Sequence, residues 1–136
     1  MIYVLDANII IHYLRGHDAV SKTIRHVITG ENILFVPRAV DYEIRRGFDL
    51  MSAPKKTLIY NNLFTLIQKF KIVDMDNDIW MCARHIYVSL KRKGFNIGEI
   101  DILIAAFCLH RNIPLVTANT KDFENIDGLR IFNWTK

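Results

Sequence analysis

Short apolar runs alternate with longer amphipathic stretches along the whole chain. Apolar runs that are rich in Ile, Val, Tyr and Phe are typical of buried strands, whereas apolar residues spaced three or four positions apart are typical of helices. This pattern predicts strands at residues 2–5, 33–36, 71–73, 114–117 and 129–132. It predicts helices at residues 7–14, 18–29, 38–50, 54–70, 76–93 and 98–111.

The alternation of the two patterns predicts the fold class. Strands that are apolar on both faces must be covered on both sides, so we expect an α/β fold with a central, mostly parallel sheet of four to five strands. In open sheets of this kind, ligands bind beyond the carboxyl ends of the strands. Functional residues are therefore expected directly after the strands.

Length and composition place the chain among ordinary globular proteins. Its 136 residues are 51% apolar and 24% charged, with neither a repeat nor a linker, so we expect residues 1–136 to form a single domain. Asp6 and Asn8 interrupt the apolar start, which argues against a secretory signal or a membrane span and favours a cytoplasmic protein. Cys82 and Cys108 fall in helical patterns and are expected to be reduced core thiols.

The charge balance is compatible with a polyanionic partner. The chain carries 18 basic and 14 acidic side chains, a net charge of +4. If four carboxylates gather around a metal ion, the remaining surface carries 18 basic and 10 acidic groups, a balance of +8. A basic rim around an acidic centre suits a phosphodiester substrate that is bound through its backbone.

Asp6 and Asp101 are the first candidate metal ligands. Asp6 directly follows the first predicted strand, although an aspartate there can also be a simple helix N-cap. Asp101 stands near the start of a helix that is apolar on nearly every face, and an ionised carboxylate in a buried helix needs a cation or hydrogen-bond donors nearby. A favourable interaction with the helix dipole is the alternative explanation for Asp101.

Further polar residues follow the second and fourth strands. Glu43 precedes Ile44 of a buried helix stripe and can point along the sheet edge, or it can be a solvated partner of a neighbouring arginine. Thr117, Asn119 and Asp122 bring a hydroxyl, an amide and a carboxylate to this edge, or they form a capped polar turn. Carboxylates gathered at one edge repel one another without a cation, and oxygen ligands without His or Cys clusters select Mg²⁺ or Mn²⁺.

These segments resemble a known family. The sequence resembles PIN-domain endoribonucleases, specifically the VapC-type toxins of bacterial and archaeal toxin–antitoxin pairs. The resemblance covers essentially the whole chain and rests on the segments VLDANIIIHYLRG, DYEIRRG, IGEIDILIAAFCLHRNIPLVTANTKDF and GLRIFNW. It implies a PIN-like three-layer α/β/α sandwich, a homodimer, and a VapB-type antitoxin whose C-terminal segment covers the active site.

The resemblance also implies the chemistry. Carried over by position, the metal-binding acids of the family correspond to Asp6, Glu43 and Asp101. They would hold Mg²⁺ (or Mn²⁺) for the hydrolysis of RNA phosphodiester bonds, which would leave 5′-phosphate and 3′-hydroxyl ends. Such a nuclease is expected to inhibit translation and growth.

Two positions depart from the family pattern. Many PIN domains have an aspartate two residues after the threonine that corresponds to Thr117, where this chain has Asn119, so Asp122 is the candidate for the fourth catalytic carboxylate. The threonine that usually follows the first aspartate is Ala7 here, which leaves Asn8 as the local orienting amide. We expect Asn8, Thr117 and Asn119 to support the metal ligands or a water molecule.

Arginines are the candidate contacts to the RNA backbone. Because phosphate contacts encode little about bases, the sequence leaves tRNA, ribosomal RNA and messenger RNA open as substrates. The candidates are Arg15, Arg38, Arg45 and Arg46.

Two other interpretations remain open. One is a catalytically inactive PIN-like module that binds RNA or a partner protein, which the departures at Ala7 and Asn119 keep open. The other is a receiver-type signalling domain, which also gathers acids at the edge of a parallel sheet. It would use Asp74 after the third strand as its phosphoacceptor, but the first strand lacks the paired acids of that class.

Overall fold

A five-stranded sheet in which every strand pair is parallel runs through the centre of the molecule. The computed structural model describes residues 1–136. In chain order the strands are β1 (Ile2–Leu5), β2 (Ile33–Pro37), β3 (Phe70–Val73), β4 (Leu115–Val116) and β5 (Ile131–Phe132). Their order across the sheet is β3-β2-β1-β4-β5, which confirms the predicted parallel sheet.

Seven helices flank the sheet. They are α1 (Ala7–Leu14), α2 (Asp18–Ile28), α3 (Arg38–Leu50), α4 (Pro54–Leu66), α5 (Asn77–Arg92), α6 (Glu99–Arg111) and α7 (Thr120–Phe123). The chain moves from β1 outward to β3 and then returns past β1 to β4 and β5, so right-handed crossovers put α1 to α4 on one face and α5 to α7 on the other. This is the α/β/α arrangement. No helix has both the length and the apolarity that crossing a membrane requires.

The reversal of strand order opens a crevice between β1 and β4. These neighbouring strands are followed by helices on opposite faces of the sheet, so the two connections diverge at their carboxyl ends. Leu5 pairs in register with Val116. The next residue on each strand is polar, and Asp6 and Thr117 therefore meet at the mouth of the crevice.

Helix α6 has the most buried residues of the helices that bear candidate ligands. Six of its residues are buried, and Ile104 and Phe107 have no exposed surface. This confirms the prediction of a buried helix at residues 98–111. Asp101 lies in the first turn of α6, so the packing of the helix fixes the position of this acid.

The structure corrects one predicted boundary and adds one element. The helix predicted at residues 54–70 ends at Leu66, because Ile67 has an extended backbone and Phe70 begins β3. The apolar residues keep a helical spacing up to β3, which explains the overestimate. Residues 120–123, expected as part of a polar segment after the fourth strand, form the one-turn helix α7, and β4 and β5 are shorter than predicted.

We expect Phe107→Ala to lower the free energy of unfolding by about 3–5 kcal/mol, because it leaves a cavity in a helix that is fully covered at this position. The edge-on contact between Phe107 and the ring of Phe35 would be lost with it. Phe95→Ala removes the same side chain from a position that is 37% exposed and should cost less than about 1 kcal/mol. Urea unfolding of both variants checks this, and equal losses would contradict the placement of α6.

Candidate active site

The mouth of the crevice holds a hydrogen-bonded group of Asp6, Asn8 and Thr117. Asp6 is 3% exposed and Thr117 is fully buried. The hydroxyl of Thr117 donates to Asp6 Oδ2 at 2.8 Å, and the amide Nδ2 of Asn8 donates to the same oxygen at 2.9 Å. The backbone N–H of Ala7 donates to Asp6 Oδ1 at 2.8 Å. Three donors therefore fix the orientation of one buried carboxylate.

Asn8 joins the two strand ends through its other amide atom. Its Oδ1 accepts from the backbone N–H of Ala118 at 2.9 Å, which ties α1 to the segment that follows β4. The backbone N–H of Asn119 donates to Thr117 Oγ1 at 3.0 Å. The exposed Asn119 side chain makes no hydrogen bond, so this residue reaches the group through its backbone.

The structure brings the four predicted acids within electrostatic reach of one another. The pKa of Asp101 is raised to about 7, mainly by burial and then by the charges of Asp6, Asp122 and Glu43, in that order of importance. Burial is also the main cause that raises the pKa of Asp6, against the hydrogen bonds from Thr117, Ala7 and Asn8, and the charge of Asp122 adds to it. The pKa of Glu43 is raised by burial and by Asp6, and Arg46 lowers it.

Each acid comes from a different element. Asp6 follows β1, and Glu43 lies on α3, one residue before Ile44 of the buried stripe. Asp101 lies in the first turn of α6, and Asp122 lies on α7. Asp6 is also the N-cap of α1, so it is both a helix cap and a member of the acidic cluster. The one-turn helix is the feature that sequence reasoning missed here, because four residues are too few to show a periodic pattern.

No basic side chain neutralises this cluster. The ion pairs of the structure include none of Asp6, Glu43, Asp101 and Asp122. Arg46 is the one basic group that acts on them, through Glu43. Mutually repelling carboxylate oxygens that are largely withdrawn from solvent and form no ion pair are a donor set that fits a hard divalent cation.

A second group of ionisable residues is arranged differently. Carboxylate oxygens of Asp76 and Asp78 and a ring nitrogen of His110 lie within 4.8 Å of one another, and all three residues are exposed. Arg111 donates to Asp76 at 3.3 Å, and Asp76 also caps α5 by accepting from Ile79. These interactions lower the pKa of Asp76, mainly through the Ile79 N–H. The group is thus partly neutralised, unlike the buried cluster.

The predicted substrate-binding arginines separate into two places. Arg38, Arg45 and Arg46 line an open depression of about 630 Å³ along α3. Arg15 lies at the end of α1, beside an apolar groove that Phe48 also lines. The structure therefore groups three of the four arginines.

Asp74 does not have the position that a receiver-type phosphoacceptor requires. It follows β3, which is an edge strand rather than a central strand. Its carboxylate accepts from the guanidinium of Arg38 at 3.0 Å. The structure therefore does not support the interpretation of this chain as a receiver-type signalling domain.

Sequence comparison finds relatives along the whole chain. The profile of the PIN domain family matches residues 3–129. A protein of Rickettsia felis named Ribonuclease VapC2 is 28% identical over 136 residues, which cover 100% of both chains. A protein of Salmonella typhimurium named tRNA(fMet)-specific endonuclease VapC is 32% identical over 92 residues, 68% of each chain.

Solved structures show the same fold. A crystal structure of VapBC2 from Rickettsia felis, bound to a DNA fragment from their promoter, has a chain that matches with a TM-score of 0.83 and 27% identity, and the match covers 98% of this chain and 99% of that one. A structure of VapBC-1 from nontypeable Haemophilus influenzae matches with a TM-score of 0.82 and 25% identity over 100% of both chains.

The raised pKa of Asp101 gives the metal-free protein a defined pH dependence. Because the folded pKa of about 7 lies above the ordinary value of 3.8, the ionised carboxylate destabilises the folded state. This cost is absent below the ordinary value, grows as the pH rises, and is complete above about 7. We therefore expect the stability in EDTA to fall between about pH 4 and pH 7, and Asp101→Asn to reduce the slope.

Urea unfolding at several pH values measures this slope. Asp18→Asn is the matched control, because Asp18 is exposed and pairs with Lys22 on α2. Its slope should equal that of the unsubstituted protein. An Asp101→Asn variant with an unchanged slope would show that Asp101 is not buried among other acids.

Proposed function

The chain belongs to the PIN domain family, and we propose that it is a divalent-metal-dependent endoribonuclease, the toxin of a VapC-type toxin–antitoxin pair. The observation that carries the proposal is the meeting of four unneutralised carboxylates at the crevice between β1 and β4. The names of the relatives, which are ribonucleases and tRNA-specific endonucleases, support the same reaction.

Asp6, Glu43 and Asp101 are the residues that would hold Mg²⁺ or Mn²⁺. Their oxygens are the ligand type that these ions prefer, and no histidine lies among them. When bound, a divalent cation lowers the pKa of water and offsets the negative charge of the phosphate that is attacked.

The residues around these ligands orient them. Thr117 and Asn8 hold Asp6 Oδ2 in place, so Asp6 keeps its orientation without a cation and no ordering is needed when one binds. Asn8 thereby supplies the local polar contact that Ala7 lacks. Asp122 is exposed and stands outside the hydrogen-bonded group, and its charge acts on Asp6 and Asp101. We assign to Asp122 the orientation of the attacking water.

RNA contacts follow from the basic residues of α3. Arg46 lies next to Glu43 and 5.1 Å over the ring of Tyr42, so it can bind a phosphate beside the carboxylates. Arg38 and Arg45 extend this basic surface along the same depression, and Arg15 would meet a more distant part of the RNA.

Hydrolysis would leave a 5′-phosphate and a 3′-hydroxyl. Two relatives are named for tRNA(fMet), which makes initiator tRNA the first substrate to test.

A protein partner is part of the proposal. The solved relatives are described as VapBC complexes, and we therefore expect a VapB-type antitoxin to bind this chain and block its activity. Large apolar side chains on α3 and α4 are exposed, among them Leu50 at 81% and Leu58 at 60%, and a protein partner would cover such residues. We also expect a homodimer, a cytoplasmic location where tRNA is met, and inhibition of translation and growth.

We expect Asp6→Asn and Asp101→Asn each to lower the rate of RNA cleavage at least about 100-fold, more than the loss of a group that merely orients a ligand. The assay is cleavage of initiator tRNA with Mg²⁺, with Mn²⁺ and with EDTA, followed by analysis of the RNA ends. Asp18→Asn should cleave at the unsubstituted rate. Cleavage that persists in EDTA or in Asp6→Asn would exclude this site, and a wild-type protein that binds RNA without cutting it would favour the inactive PIN-like module.

The fourth carboxylate has its own test. We expect Asp122→Asn to slow cleavage about 10- to 100-fold, because it removes a group that orients water next to the metal ligands. Glu124→Gln changes an exposed acid two residues further on and should leave the rate within twofold. If Asn119→Asp restores cleavage to Asp122→Asn, the two positions share one role. An unaffected Asp122→Asn would remove Asp122 from the active site.

A further inference from the structure

A buried aspartate on α3 lies outside the acidic cluster. Asp41 is 4% exposed and continues the stripe of Ile44 on the inner side of the helix. Its Oδ1 accepts from the hydroxyl of Tyr60 at 2.8 Å and from Nε of Arg45 at 2.9 Å. Its Oδ2 accepts from a guanidinium nitrogen of Arg38 at 3.2 Å. One buried carboxylate thus organises two arginines and a tyrosine.

Both arginines have a second partner. Nε of Arg38 donates to Asp74 at 3.0 Å, on the segment after β3. Arg45 donates to Asn61 of α4 at 2.8 Å, and its guanidinium lies 5.0 Å over the ring of Tyr60. Each guanidinium is therefore held through two of its nitrogens, and the partners of the pair come from three parts of the chain, α3, α4 and the segment after β3.

The two arginines keep donors free for a ligand. A guanidinium has five N–H groups, and two are used in each of Arg38 and Arg45, which leaves three on each. The side chains are 53% and 37% exposed. A fixed guanidinium with free donors matches the two oxygens of a phosphate.

The pair lies on the edge of the sheet that carries the carboxylates. Arg38 is the first residue of α3 and directly follows β2, and β2 neighbours β1, which Asp6 follows. Arg45 lies two turns further along α3, about 10 Å along the helix axis. Arg46 and the exposed ring of Tyr42 line the same depression. A basic track with one aromatic ring therefore leads away from the acidic cluster.

We propose that Asp41 is a positioning residue for RNA binding, which together with Tyr60 holds Arg38 and Arg45 in a geometry that binds phosphates away from the scissile bond. The inference rests on the proposed ribonuclease function. Burying a carboxylate is costly, and an apolar residue would join α3 to α4 as well if packing were the sole requirement. What the carboxylate adds is a fixed orientation of both guanidiniums before the RNA arrives.

The substitution Asp41→Asn tests this against the effect of net charge. It removes one negative charge, and this alone would tighten the binding of RNA. Loss of positioning acts in the opposite direction. We expect KM for initiator tRNA to rise about three- to tenfold, because that is the loss expected when one or two arginine side chains must be ordered on binding. The Kd, measured by fluorescence anisotropy with labelled initiator tRNA in EDTA, should rise about as much. We expect kcat to stay within twofold.

Controls separate this role from a structural one. Asp18→Asn removes one exposed negative charge from α2 and should bind RNA as tightly as the unsubstituted protein or more tightly. In a background of Arg38→Gln and Arg45→Gln, Asp41→Asn should have no further effect on Kd. If Asp41→Asn does not fold, Tyr60→Phe keeps the packing, removes one hydrogen bond to Asp41, and should raise Kd about twofold.

The outcomes are distinct. Folded Asp41→Asn that binds RNA as tightly as Asp18→Asn, or a Kd increase that persists in the arginine-deficient background, overturns the positioning role. A wild-type protein that binds RNA and does not cleave it refutes the proposed nuclease activity, and the anisotropy measurement still decides the role of Asp41. A wild-type protein that does not bind RNA refutes both.

Discussion

The repulsion between clustered carboxylates, of which Asp6 is buried and Glu43 and Asp101 are half-buried, is the constraint on which the rest of the structure depends. Asp6, Glu43, Asp101 and Asp122 come from four elements, and no ion pair neutralises any of them. Folding alone gains nothing from bringing these charges together, because burial and mutual repulsion both oppose the ionisation of Asp6, Glu43 and Asp101. The packing of β1, α3 and α6 overcomes this cost and holds the acids in place. The result is a site with a strong electrostatic demand for a cation.

Sequence reasoning predicted the parts of this arrangement that depend on local pattern. Asp6 follows an apolar strand and Asp101 opens an apolar helix, so both could be placed at a sheet edge from spacing alone. Asp122 was harder, because its position depends on a single helical turn after a two-residue strand. The predicted end of α4, at residue 70, was wrong, because the apolar residues keep a helical spacing beyond Leu66 and up to β3. The position of α7 and the end of α4 both depend on how the chain packs in three dimensions, and a periodic sequence pattern carries no information about such packing.

Asp41 shows most clearly what a sequence pattern cannot predict. In the sequence it is one acid among several in a charged helix, and Glu43, two residues further on, was the candidate metal ligand of this segment. The observable signal was its place on the same stripe as Ile44 and Phe48, three and seven residues further on. Its partner Tyr60 lies on the next helix, and such pairings become visible only in the folded structure. The two flanks of α3 therefore carry different chemistry, with Glu43 facing the acids and Asp41 facing the arginines.

The bridge from Asn8 to Ala118 has a consequence for the timing of synthesis. Residue 8 leaves the ribosome well before residues 101, 117, 118 and 122 are made. A growing chain that lacks β4 has neither Thr117 nor the backbone N–H that donates to Asn8, so Asp6 keeps only its local donors, Ala7 and Asn8. The complete set of acids assembles only when the C-terminal quarter of the chain has folded onto β1. A nascent chain therefore lacks the assembled acids until the residues up to 122 have been made and folded onto β1.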